Sequence, residues 1–276
     1  MFLIGKQPVI NRSGRETPPL RVSSLRVAYP GGPTLLEDVS FIVEAGEIMG
    51  ILGPSGCGKS TLLRHLVGLE TATSGTIELF GENLWSGQGA ELNHHRRKFG
   101  IMYQGGALFG NLSLIENVAL PLKEFTKLKP GAIETAARLK LALVGLSGFE
   151  YSMPDSLSGG MRKRAAIARA LALEPGLLFL DEPSAGLDPV TSAGLDQLIV
   201  TLARNLSLAF VMVTHELNSI MATLDRAILL DKEKRGIVAE GTPDYLAHQS
   251  PAQEAAAFFR RGSRGGILAT QKLDTN

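Results

Sequence analysis

A chain of 276 residues, 44% of them hydrophobic, is long enough to build one sizeable core with tails. Its 28 Lys and Arg nearly cancel its 27 Asp and Glu, so bulk electrostatics demands neither a nucleic acid nor an acidic membrane surface as partner. A single cysteine, Cys57, excludes an intrachain disulfide framework and fits a reducing compartment, so a cytoplasmic location is expected.

The apolar opening Met1 to Ile4 stops at Gly5 and Lys6, so no secretory signal is expected. No apolar run approaches the roughly 20 residues that cross a bilayer, and any membrane role is expected to be peripheral. Residues 1–18, with Arg12, Ser13, Gly14, Arg15 and the pair Pro18 and Pro19, read as a flexible leader. A main domain over 19–248 follows. Its early part is β-rich, with strands expected at Leu20 to Tyr29, Val39 to Val43, Glu47 to Leu52 and Thr76 to Phe80. The middle block, about 105–156, reads as a helical insertion: helices at Ser113 to Ala119 and Gly131 to Val144, Ser113 as a cap, Pro121 and Pro130 as breaks. A further helix is expected over 159–173. Leu177 to Asp181, Val190 to Leu206, Leu208 to Thr214, a short helix from Leu217 and Arg226 to Leu230 then alternate strand and helix, the pattern of a parallel α/β core. Residues 249–276 read as a tail, Gly- and Arg-rich over Arg260 to Gly266.

Three segments carry chemistry. Gly53, Pro54, Ser55, Gly56, Cys57, Gly58, Lys59, Ser60 and Thr61 match the phosphate-loop pattern in full, after the apolar strand Ile48 to Leu52 and before a helical Leu62 to Val67. Glycines let backbone N–H groups close around phosphate oxygens, the helix start adds a positive dipole, Lys59 supplies a cation for the β and γ phosphates, and Ser60 is expected to ligate magnesium. The run Leu177 to Glu182 sets two carboxylates at the end of a buried strand, where such sheets bind ligands. Asp181 is expected to orient hydrated magnesium and Glu182 to act as general base on water, although capping of the next helix explains the same pair when the loop is ignored. Leu157, Ser158, Gly159, Gly160 and Met161 open a strong helix with Ser158 as N-cap candidate. A second glycine-flanked helix start makes a second anion-binding surface, whereas one ATP needs one phosphate loop, which suggests a shared site.

In this order, with Gln104, Ser184 to Asp188 and His215 in place, the sequence resembles the ATP-binding subunits of ABC transporters over about Leu20 to Leu246. The resemblance implies a P-loop NTPase fold of the ABC ATPase type, a parallel α/β core with an N-terminal antiparallel β portion and a helical subdomain. It implies ATP and Mg2+ as cofactors, Tyr29 stacked on adenine, Gln104 touching magnesium and reporting to a membrane partner, and His215 on the γ phosphate. Asp188 would lie in the dimer loop, and Ser158, Gly159 and Gly160 would bind the ATP held by a second copy, giving a head-to-tail homodimer. Met161 departs from the Gln usual in the signature. Tyr103 to Phe109, Leu112 to Leu122 and Leu157 to Ala166 look like the Mla/Mce-associated branch, whose complexes move phospholipids or other lipids across bacterial envelopes. That likeness implies transmembrane permease subunits, an Mce-domain lipid-binding protein and a place on the cytoplasmic face of the inner membrane. Leu108, Phe109, Leu112, Leu114 and Ile115 either pack the insertion or receive a permease helix. A small-solute importer ATPase is the alternative, and a soluble non-transport ABC ATPase a third; one phosphate loop, one cysteine and no basic tract argue against nucleic acid as partner.

Overall fold

The computed structural model describes residues 17–29, 31–85 and 94–260. Residues 1–16 of the expected leader and 261–276 of the expected tail lie outside the described residues. Near its start the chain alternates: Leu20, Val22, Leu25 and Val27 turn inward along β1 (Leu20–Ala28). β1 pairs antiparallel with β2 (Thr34–Val43) on one edge and β4 (Ser74–Leu79) on the other, and the short β5 (Glu82–Asn83) completes a four-stranded sheet. An antiparallel sheet with one covered face needs only alternate apolar residues, which is what these strands supply.

The second sheet runs β10-β9-β3-β8-β7-β6. β3 (Ile48–Leu52), β6 (Phe99–Met102), β7 (Leu177–Asp181), β8 (Ala209–Val213) and β9 (Arg226–Asp231) are mutually parallel neighbours, and β10 (Gly236–Gly241) adds antiparallel at the β9 edge. Continuous apolar runs build these strands because both faces are covered. Leu178 and Leu180 of β7 join the core on the helical side, while Leu177 and Phe179 join the core shared with α1 (Lys59–Leu66) and the four-stranded sheet.

The helical side carries α2 (Leu114–Phe125), α3 (Pro130–Leu143), a 3-10 turn at Pro154–Ser156, α4 (Gly159–Ala170), α5 (Pro189–Leu206), α6 (Leu217–Thr223) and α7 (Pro243–His248). Pro121, expected to end a helix, lies inside α2. A proline there costs about 3 kcal/mol. Burial of Leu114, Ile115, Val118 and Ala119 before it and Leu122 after it offsets that cost, and the Ser113 N–H donates to the Glu116 carboxylate at 2.8 Å to fix the start. Pro130 opens α3 at its first helical position, where a missing N–H costs nothing.

Residues 253–260, expected in the tail, are helical, with Ala255 and Phe259 buried in the helical-side core. β6 and β10 were not legible in the sequence: β6 is four residues long, and β10 buries little beyond Gly236. Among the described residues no helix is long and apolar enough to cross a membrane.

Candidate functional site

Sheet order decides what meets what. β3, β8, β7 and β6 are consecutive neighbours and parallel, so the segments leaving their carboxyl ends share one edge. These segments are the loop Gly53 to Gly58, then His215, then Asp181 and Glu182, then Gln104. Residues up to 162 positions apart by number, Gly53 and His215, are thereby set along one edge by topology alone.

The loop bends where glycine is required. Gly53 has φ +147, and a Cβ there would lie 2.5 Å from the Leu230 carbonyl oxygen. Gly58 has φ +104 and stands as N-cap of α1, so the helix begins at Lys59, three residues before the expected Leu62. Pro54, Ser55, Gly56 and Ser60 face solvent. Lys59 Nζ donates to the carbonyl oxygens of Gly53 at 2.7 Å and Pro54 at 3.0 Å, which folds the ammonium over its own loop. Cys57 turns inward and is 1% exposed; burial pushes its thiol above the ordinary range, so its side chain is a filler and only its backbone belongs to the loop surface.

Glu182 carries the sharpest geometry. Its N–H donates to the Val213 carbonyl at 2.8 Å, tying it to β8, and its φ of +49 is a left-handed conformation that costs a non-glycine residue roughly 1–2 kcal/mol. The side chain is buried, Oε1 accepts a 2.7 Å hydrogen bond from His215 Nδ1, and Oε2 has no partner. A buried carboxylate oxygen left open beside a phosphate loop is an acceptor waiting for a ligand proton or cation. Next to it, burial foremost and the Glu182 charge second raise the Asp181 carboxyl above its ordinary value, against Arg64, Lys163 and Lys59. The site therefore holds negative charge that a cation would relieve.

The donor set fits magnesium in kind. Ser60 offers a hydroxyl and Asp181 a carboxylate, both hard oxygens, and among the described residues no group of three or more His, Cys, Asp or Glu forms an all-protein cage. Magnesium is held by one or two such oxygens together with phosphate and water. Tyr29, 55% exposed, lines a cleft of about 420 Å³ with Val27, Leu35, Thr71 and, from α1, Thr61 and Arg64.

Ser158, Gly159 and Gly160 stand elsewhere. Ser158 Oγ accepts from the Met161 N–H at 3.3 Å and caps α4. A Cβ on Gly159 would come 3.1 Å from Leu187 Cδ2, and one on Gly160 2.3 Å from Thr191 Cγ2. The signature turn thus packs on the start of α5, where Asp188 Oδ1 accepts from Val190 N–H at 3.1 Å and Thr191 N–H at 3.0 Å. Hydrogen bonding from the Thr191 side chain first and its N–H second holds the Asp188 carboxyl below its ordinary value. Asp188 is in this chain a helix cap.

Of the five apolar residues after Gln104, Leu114 and Ile115 are buried in the helical core, Leu108 and Leu112 are half-buried, and Phe109 is 49% exposed. Sequence reasoning gave no role to Lys163, Arg169 or Asn117, all of which hold this region. Arg169 donates to the carbonyls of Ala107 at 2.7 Å and Gly106 at 3.0 Å, and Asn117 Nδ2 to those of Phe109, Leu112 and Ser113. The signal available was a basic residue on an alanine-rich helix face, which marks a side chain reaching past small neighbours.

Residues 36–185 match the family model described as ABC transporter. The chain is 45% identical over 199 residues to the probable ribonucleotide transport ATP-binding protein mkl of Mycobacterium tuberculosis, 72% of this chain but only 55% of that protein, so it spans about half of that relative's length. It is 39% identical over 216 residues to the intermembrane phospholipid transport system ATP-binding protein MlaF of Escherichia coli, 78% of this chain and 80% of that protein. The dimeric post-hydrolysis structure of the ATP-binding cassette MJ0796 bound to ADP and Pi superposes with TM-score 0.72 at 30% identity, over 81% of this chain and 98% of that one. Motif order, sheet order and these likenesses agree: the chain belongs to the ABC transporter family.

Proposed function

We propose that this protein binds ATP and hydrolyses it as the nucleotide-binding subunit of a transporter, working as a homodimer on transmembrane permease subunits. The observation that carries the reading is the buried Glu182 carboxylate, one oxygen held by His215 and the other open, at the same sheet edge as the phosphate loop with β8 between them. Glu182 takes the proton of the water that attacks the terminal phosphate, His215 fixes the carboxylate and contacts the γ phosphate, and Lys59 leaves its loop carbonyls for the phosphate oxygens. Ser60, Asp181 and Gln104 hold magnesium, which when bound neutralises phosphate charge. Tyr29 stacks on the base. Ser158, Gly159 and Gly160 close on the nucleotide of the second copy, with Asp188 at the seam between copies.

The cargo we infer is phospholipid, moved across a bacterial envelope with an Mce-domain partner, and the protein attaches peripherally to the cytoplasmic face of the inner membrane. The likeness to MlaF supports this because it runs through four fifths of that protein, whereas the higher identity to mkl stops at about half. Ribonucleotide cargo, as mkl's name prints it, is the second reading. Exposed Phe109, at the outer end of the segment after Gln104, is the side chain offered to a permease helix.

The test compares Lys59→Ala with Glu182→Gln. The first loses nucleotide affinity; the second keeps it and loses turnover by about 100- to 10,000-fold. Equal hydrolysis in both refutes the roles. Glu182→Gln trapped with ATP in membranes and gently solubilised is expected to bring down a permease, an Mce-domain protein and phospholipid; a solute-importer permease instead would keep the ATPase and change the cargo.

A further inference from the structure

Lys163 sits in the first turns of α4 and is 7% exposed, yet its ammonium reaches out of the helix to two peptide carbonyls, that of Gln104 and, at 3.2 Å, that of Glu182. Those residues follow β6 and β7 respectively and belong to no common element. Burial lowers the lysine's proton affinity, against the charges of Asp181 and Glu182, so the group is kept in place at an electrostatic disadvantage. Glu182 is also the residue whose backbone needs holding, with φ +49, its N–H secured by β8 and its carbonyl shared between Lys163 and the Ala185 N–H at 3.3 Å. Removing the ammonium would leave its carbonyl with only the 3.3 Å hydrogen bond from the Ala185 N–H and loosen the peptide plane that aims the carboxylate.

We propose that Lys163 is a positioning residue for ATP turnover: its buried ammonium ties the signature helix to the peptide carbonyls of Gln104 and Glu182 and thereby sets the direction of the Glu182 carboxylate. The inference rests on the reading of Glu182 as general base. It has a consequence between copies. Because α4 begins at Ser158 to Gly160, the turn proposed to grip the nucleotide of the second copy, the same ammonium links that grip to the base of this copy's own site.

The experiment is a double-mutant cycle in the full chain with ATP and magnesium. Lys163→Met keeps the aliphatic stem and removes every donor; it is expected to lower kcat about 10- to 100-fold, as small misplacements of a reacting group do, while the affinity for a fluorescent ATP analogue changes by less than about threefold. Lys163→Arg, which restores donors, is expected to recover most of kcat. In a Glu182→Gln background Lys163→Met is expected to cause no further loss in the residual single-turnover rate, because the residue it acts through is already gone. Unchanged kcat in Lys163→Met, or the same fractional loss with and without Glu182, overturns the proposal, the latter by showing a general structural role. If thermal unfolding shows that the Met variant does not fold, Lys163→Gln, with an amide donor at shorter reach, is put through the same cycle with the same two outcomes. Wild-type turnover in Glu182→Gln alone would instead overturn the base assignment, a result distinct from either.

Discussion

At the scale of single residues, buried polar groups divide into those with a use and those that cost stability. Asp196 on α5 is 5% exposed; its Oδ2 accepts from Ser219 Oγ at 2.8 Å, and its Oδ1 has no partner. Burial first raises its carboxyl above the ordinary 3.8, the Ser219 hydrogen bond opposes that, and the Glu216 charge adds to it. A carboxyl raised in the folded state contributes stability that is present below the unfolded value and lost as pH rises through the folded one. At neutral pH the wild type therefore carries the cost of a buried charge with one oxygen unsatisfied. Asp196→Asn is expected to raise the unfolding free energy at neutral pH by about 1 kcal/mol, the gain shrinking to nothing as pH falls toward 3.8; urea unfolding at several pH values measures it, and a pH-independent difference would contradict the assignment. Nothing in the sequence singled Asp196 out, because burial of one carboxylate among polar neighbours depends on how α5 and α6 meet. Asp181 and Glu182 were legible because a strand of four apolar residues runs straight into them.

At the scale of elements, α4 is the piece that joins the others. Arg162 donates to the Leu157 carbonyl, Lys163 to those of Gln104 and Glu182, Arg164 to those of Val144 and Gly194, and Arg169 to those of Gly106 and Ala107. Nearly every basic side chain of the helix thus ends on a backbone carbonyl of a different segment. Backbone acceptors are the same for every residue type, so the sequence can announce the helix and its cap but not these partners. The same holds for Asn117, fully buried in α2. It accepts from the Phe109 N–H at 2.8 Å and donates to three carbonyls, folding residues 109–113 over the helix start. Pro121 failed as a sequence signal for a related reason, since the packing that carries α2 through it comes from α3 and α4. Asn117→Ala is expected to destabilise the protein by about 1–3 kcal/mol, by taking the side-chain partner from the Phe109 N–H and the Leu112 carbonyl, and to increase amide exchange over 109–113 before it does so in the parallel sheet. Hydrogen exchange read by segment would decide it; uniform loosening would contradict the local role.

For the whole molecule, the phosphate loop and the signature turn pack on different parts of the fold. The phosphate loop leaves β3 against Leu230, while Gly159 and Gly160 pack on Leu187 and Thr191 at the start of α5. Under the proposed function two copies placed head to tail bring the signature turn of each to the loop of the other and close two sites at once. Nucleotide then acts as a ligand of the dimer, stabilising it by mass action, and blocking hydrolysis should preserve it. Glu182→Gln is expected to sediment as a dimer with ATP and magnesium and as a monomer without them. Adding Ser158→Arg should abolish that dimer, placing bulk and charge at the exposed mouth of the turn, while each copy keeps its own nucleotide affinity. Ser158 also caps α4, and losing a cap costs about 1 kcal/mol, so Ser158→Ala is the necessary comparison. Alanine removes the cap and adds no bulk; it should lower the unfolding temperature as the arginine does and yet leave an ATP-dependent dimer. If both variants lose the dimer alike, the cap's contribution to α4 explains the loss and the signature turn need not face a second copy. If only arginine does, the surface formed by the turn and the start of α5 is where the second nucleotide lies.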